Sequence, residues 1–171
     1  MVDPSDFDME IADGAAPEAL RGLGVWRRPG FLAPAAATRL AEAAASSPRW
    51  RRSADYETAP APAAAAAAFT AGLAMLGLTL TGAPKLIRHR PGGHGAPAAQ
   101  GGVACLLDLV DGWASQDGGL LLLTEPEGSV HGWRPEAGAL TLYLEGRTPL
   151  LTMLAPTAPP RYALFAHARA L

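Results

Sequence analysis

Between Pro84 and Leu123 the chain reads PKLIRHRPGGHGAPAAQGGVACLLDLVDGWASQDGGLLLL, and this stretch limits the folds open to it. Two short apolar runs, VACLLDL and LLLL, are parted by segments rich in Gly, Asp and Ser. Runs this short, bounded by turn residues, predict buried β-strands joined by loops rather than helices. The rhythm continues to the end of the chain. LIRH, VACLLDL, LLLLTE, SVHGW, ALTLYLE, LLTML and RYALFAH make about seven strands, the spacing of an all-β sandwich or barrel.

The texture before Lys85 is different. Met1 to roughly Gly24 is acidic and punctuated by Pro and Gly, and reads as a leader, 1–24, that is either free or laid along the domain edge. Val25 to Leu32 reads as a short strand or edge segment ending in a turn. Pro34 opens AAATRLAEAAASS, where proline suits a first helical turn and alanine favours the helix. Trp50 to Pro62 is polar and carries proline, a surface loop. Ala63 onward gives a second helix, with Phe69, Leu73, Leu76 and Leu80 at near-helical spacing. The rest, 25–171, is therefore expected to be one domain with two N-terminal helices before the strands, a size that suits a single core.

Composition narrows the function classes. Apolar residues make up 49% and charged residues 18%, a globular balance, although Ala, Gly and Pro supply much of the apolar share. The net charge is −2 and no basic block exceeds pairs such as Arg27-Arg28 and Arg51-Arg52, which speaks against nucleic acid or an anionic membrane as partner. No signal-peptide layout and no long apolar span is visible, so a cytoplasmic protein is expected. Cys105 is the single cysteine and lies within an apolar run, where an inert buried thiol is the expectation.

With strands and turns placed, the order of motifs from about Pro29 onward resembles the prolyl-hydroxylase-like branch of the iron(II)/2-oxoglutarate dioxygenases. The turn His89 to Gln100 (HRPGGHGAPAAQ) resembles the entry to that family's metal motif. Trp113, Asp117, Gly118 and Gly119 resemble its Trp and Asp-Gly-Gly turn. Pro135, Gly138 and Leu140 look like its Pro-x-x-Gly-x-Leu strand, and RYALFAHA like its closing strand. The resemblance implies a mostly β chain with N-terminal helices around a double-stranded β-helix, a jelly-roll or cupin-like core. It also implies that Arg161 stands where the family binds 2-oxoglutarate, or a similar carboxylate, and that His89 stands at the position of its cofactor tyrosine.

The metal ligands do not carry over. Iron(II) in this family needs two imidazoles and one carboxylate on one side of the metal. By the family's spacing the three positions fall on Ala98, Gln100 and Leu151. No bound metal is expected on this reading, and no cofactor. Iron(II) and 2-oxoglutarate return only if displaced residues rebuild a site, with His94 and His131 as fallback ligands beside Gln100, Asp108 or Glu125. Four histidines in 171 residues is otherwise an ordinary number, each on the surface or satisfied by a hydrogen bond.

Other chemistries have less support. Ser129 and His131 sit too close in sequence for a nucleophile–base pair, and no Gly-x-Ser-x-Gly elbow exists. RPGGHG lacks the phosphate-loop pattern. Trp26-Arg27-Arg28 and Trp50-Arg51-Arg52 either staple the first helix to the barrel or anchor a partner. Three readings stay open. One is a non-catalytic dioxygenase-like domain with a structural, regulatory or protein-binding role. The second is an active hydroxylase with non-standard ligands. The third is a metal-free binder of a small carboxylate.

Overall fold

The computed structural model describes residue 6 and residues 15–47, 49–52, 55–125 and 127–170. Its elements, in chain order, are α1 (Ala15–Leu23), β1 (Val25–Arg28), α2 (Pro34–Ala45), β2 (Arg51–Arg52), β3 (Glu57–Pro60), α3 (Ala63–Met75) and β4 (Leu78–Leu80). There follow β5 (Lys85–His89), β6 (Val103–Asp108), β7 (Leu121–Thr124), β8 (Val130–Trp133), β9 (Leu140–Leu144), β10 (Thr148–Leu151) and β11 (Arg161–Ala170).

The strands make two antiparallel sheets. The large one runs β1-β9-β6-β11-β5-β3-β2, with β4 also paired to β11; the small one runs β10-β7-β8. Helices cover one face of the large sheet, and the small sheet covers the other. Side chains alternate across a strand, so β6 feeds both layers. Val103, Cys105 and Leu107 join the helix-side core with Leu40, Phe69 and Leu73. Ala104 and Leu106 join the core between the sheets with Leu121, Leu123, Leu151, Tyr143 and Phe165. All six residues of β6 are buried, as expected of a strand covered on both faces.

The mostly β, jelly-roll architecture read from the sequence is the one present. All seven strand signals after Pro84 mark strands, the sixth displaced towards the N-terminus as β10. α2 begins at Pro34 and buries Ala36, Ala37, Leu40 and Ala44 on one stripe.

In the segment 1–24, described only at Asp6 and from residue 15 on, α1 places Leu20 in the core. Two local expectations differ from the structure. The polar stretch from Trp50 to Pro62 is not all loop: β2 and β3 pair with each other and β3 pairs with β5. The second helix stops at Met75, because Gly77 at φ 71° turns the chain into β4, so Leu80 belongs to a strand. Among the described residues no helix is long and apolar enough to cross a membrane.

Candidate functional site

Strand order gathers polar side chains at one end of the space between the sheets. Arg27 of β1 is paired with Thr141 of β9, and Thr141 with Leu106 of β6. Asp108, two residues on, shares the face of Leu106 and is paired with Ala163 of β11. Two residues back along β11, Arg161 is paired with His89 of β5. Directly paired antiparallel residues point to the same face. The register therefore places Arg27, Thr141, Asp108, Arg161 and His89 along five neighbouring strands, all facing the small sheet.

These groups are buried and connected. Arg161 Nη2 donates to Asp108 Oδ1 at 2.6 Å, with 1% and 2% of the two side chains exposed. Asp108 Oδ2 lies 3.5 Å from Arg27 Nη1, which itself donates to Thr141 Oγ1 at 2.7 Å. Arg27 Nη2 donates to the Arg134 carbonyl and lies 3.8 Å from the half-exposed Glu136. A charge taken this far from water is tolerable only when paired. Asp108 is that partner for Arg161.

His89 completes the row. Its Nε2 lies 2.8 Å from the Gly95 carbonyl, which can only accept, so Nε2 carries the proton and Nδ1 is left as an acceptor. Burial first, and the Arg161 charge second, bring its pKa down to about 4, so the ring is neutral at neutral pH. His89 Nδ1 and Arg161 Nε are both buried without a hydrogen-bond partner.

The Trp–Asp-Gly-Gly turn packs against the same end. Trp113 Nε1 donates to the Gly118 carbonyl at 3.0 Å, and Asp117 Oδ2 accepts from the Ala114 amide at 2.9 Å. Gly118 has φ 73°, and a Cβ there would collide with the Met153 carbonyl. A Cβ on Gly119 would stand 3.2 Å from the Trp113 ring and 3.6 Å from Arg161 Cδ. The Trp113 ring and the Arg161 stem thus both border this turn. Outside it, a cavity of about 500 Å³ is lined by Arg27, Trp113, Trp133, Arg134 and Glu136 among others.

At the opposite end of the inner face lie two of the three positions expected for metal ligands. Ala98 and Gln100 are exposed beside a cavity of about 410 Å³ that also touches Tyr56, Lys85, Phe165 and His167. Backbone contacts pin their loop: the Tyr143 hydroxyl donates to the Pro97 carbonyl, and His167 Nε2 lies 3.0 Å from the Ala98 carbonyl. Leu151, the third position, is 1% exposed and is paired with Leu121 in the small sheet.

The fallback ligands do not meet. His94 lies 3.6 Å from Asp55 on the turn after β5. His131 stacks on Trp133 and lies 2.8 Å from Glu125 on the small sheet. Among the described residues no three His, Cys, Asp or Glu side chains stand together as a metal needs. Methyl, amide and isobutyl side chains are not the donor set of iron(II), so the residues present do not fit that metal. The fit to a carboxylate is partial: Arg161 is there, with Nη2 already committed and Nε free of partners.

Sequence reasoning singled out Arg161 and His89 but treated Asp108 only as a fallback companion, and missed Arg27 and Thr141. An acidic residue ending an otherwise apolar strand was the available signal. Its partner was not readable without register. Cys105 is fully buried, and burial pushes its thiol up to about 12.

No protein-family model matches the sequence, and neither does any curated protein. Solved structures do match. A prolyl-4-hydroxylase from Pseudomonas putida aligns at 21% identity and TM-score 0.73, over 92% of this chain and 98% of that one. A prolyl hydroxylase from Trichoplax adhaerens, solved with a hypoxia inducible factor oxygen degradation domain peptide fragment, aligns at 16% identity and TM-score 0.77, over 95% and 90%. An oxidoreductase of the 2OG-Fe(II) oxygenase family from Burkholderia pseudomallei aligns at 13% and TM-score 0.68, over 95% and 90%. These matches correct the expectation that no cofactor is involved: the structures sharing this fold are those of 2-oxoglutarate/Fe(II) oxygenases, and those are the cofactors the likeness suggests. The chain has the double-stranded β-helix fold of the prolyl hydroxylases and 2OG-Fe(II) oxygenases.

Proposed function

We propose that this chain is a non-catalytic protein of the 2-oxoglutarate/Fe(II) dioxygenase fold, one that acts by binding and has another protein as its partner. Leu151 carries the reading: where the resemblance calls for an imidazole on the metal, an aliphatic side chain is packed into the core with Leu121, Leu123 and Leu154. The positions Ala98 and Gln100 support it, being a methyl group and an exposed amide. For the partner, the small sheet's outer face offers Val130 and Leu150, with Met153 just beyond β10; each is more than half exposed.

A second reading, a metal-free binder of a small carboxylate, is favoured by one observation. Arg161 Nε, an N–H donor, is buried and unpartnered. 2-Oxoglutarate is itself a carboxylate of the class such a guanidinium takes.

The test is an anaerobic titration of metal-stripped protein with iron(II), then 2-oxoglutarate, followed by admission of oxygen and assay for succinate. Succinate at the level of free iron supports a non-catalytic protein. Stoichiometric iron, a metal-to-ligand charge-transfer band and protein-dependent succinate would overturn it. Heat released by 2-oxoglutarate without iron, and lost in Arg161→Ala, supports the carboxylate reading.

A further inference from the structure

Two guanidiniums share one buried carboxylate in this barrel. Arg161 is 1% exposed and the Arg27 side chain 8%, whereas among the described residues the only buried acid is Asp108 at 2%. Glu136, the other acid near Arg27, is 3.8 Å away and 56% exposed. Asp108 reaches towards both cations, Oδ1 at 2.6 Å from Arg161 Nη2 and Oδ2 at 3.5 Å from Arg27 Nη1. It is close on one side and loose on the other.

Arg161 also keeps an unused donor. A guanidinium has five N–H groups in a planar fork, and buried ones are normally satisfied. Its Nε has no partner. The interior is thus short of one anion while holding a donor suited to it.

We infer that Asp108 is a built-in occupant of the carboxylate seat on Arg161, and that an external carboxylate enters by displacing Asp108 onto Arg27. Entry would give each guanidinium its own carboxylate and supply an acceptor for Arg161 Nε. Asp108 thereby sets how strongly the seat answers to a ligand. The inference rests on the carboxylate reading above and adds the residue that governs it.

The experiment compares wild type, Asp108→Asn and the double variant Asp108→Asn/Arg161→Gln by calorimetry with succinate and with 2-oxoglutarate. Asparagine keeps the side chain's shape and removes the competing charge. The expected result is binding at least ~10-fold tighter in Asp108→Asn than in wild type, abolished in the double variant. Equal affinity in wild type and Asp108→Asn overturns this inference and leaves the carboxylate reading standing. Absence of binding in both overturns the reading and the inference with it. Should Asp108→Asn not fold, Asp108→Ala refolded in acetate serves instead. A midpoint that rises with acetate, and does so only while Arg161 is present, supports the seat; no rise overturns it.

Discussion

The guanidinium of Arg88 lies 4.3 Å from the centroid of the Trp50 ring, and the same group donates to Glu57 Oε2 at 2.6 Å. One cation on β5 therefore holds both ends of the β2–β3 hairpin. Trp50 adds a tilted contact with Tyr162, ring centroids 6.0 Å apart, and packs against the helix-side core. Burial of Glu57 works against its charge, but Arg88 and then Arg90 keep its pKa below the usual carboxylate value.

Removing that ring should loosen the hairpin. Trp50→Ala is expected to cost about 2–4 kcal/mol, most of it packing and about 0.5–2 kcal/mol the cation–π contact. Trp50→Phe should retain more than half. Urea unfolding of the two variants checks this; equal losses would mean that the ring's face towards Arg88 contributes nothing.

The three positions expected for metal ligands should respond unequally to substitution. Leu151→Ala is expected to lose about 2–5 kcal/mol of stability, the range for emptying a buried leucine site. Gln100→Ala, at an exposed loop position, should stay within about 0.5 kcal/mol. The comparison needs only equilibrium unfolding. A neutral Leu151→Ala would mean that the side chain is not part of the core.

His89 gives the fold an acid-sensitive point. Its pKa is 6.5 when unfolded and about 4 when folded, so between these values the unfolded chain binds more protons. The stability contributed by keeping the ring neutral is complete above about pH 6.5 and is lost as pH falls towards about 4, by an amount of about 3 kcal/mol. His89→Gln should flatten that part of the pH–stability curve. A wild-type curve already flat between pH 6.5 and 4 would refute the assignment.

Cys105 should be silent. With the thiol fully buried and its pKa raised to about 12, native protein at pH 8 should not react with a disulfide reagent over hours, and unfolded protein should react at once. Timed thiol release in the presence and absence of urea separates the two.

How far the sequence leads depends on how each element earns its burial. Strands β5 to β11 were visible because glycine, proline and aspartate cut apolar runs to strand length. The β2–β3 hairpin was not, because WRRSADYETAP lacks alternation: its edge position leaves Arg51, Arg52 and Pro60 exposed, and only Ala59 is buried. β4 was folded into the helix before it, since Leu76 and Leu80 keep a helical spacing that Gly77 interrupts. At the site, Arg161 could be picked out by its resemblance to a motif, while Asp108 could not be assigned to it. Their meeting is set by which strands are neighbours and by register, and neither is written in local composition.

The position of β11 bears on how the molecule comes into being. This strand is bordered on one side by β6 and on the other by β5 and β4, so it is the keel of the large sheet, yet it lies after every other described strand. Until it has been synthesised, β5 and β6 have no neighbour between them, and the faces that end as Leu86, Ile87, Leu106 and Leu107 stand open to water or to one another. Pairings between such distant segments form slowly. A nascent chain paused before Arg161 would present the unpaired edges of β5 and β6, and such edges favour aggregation.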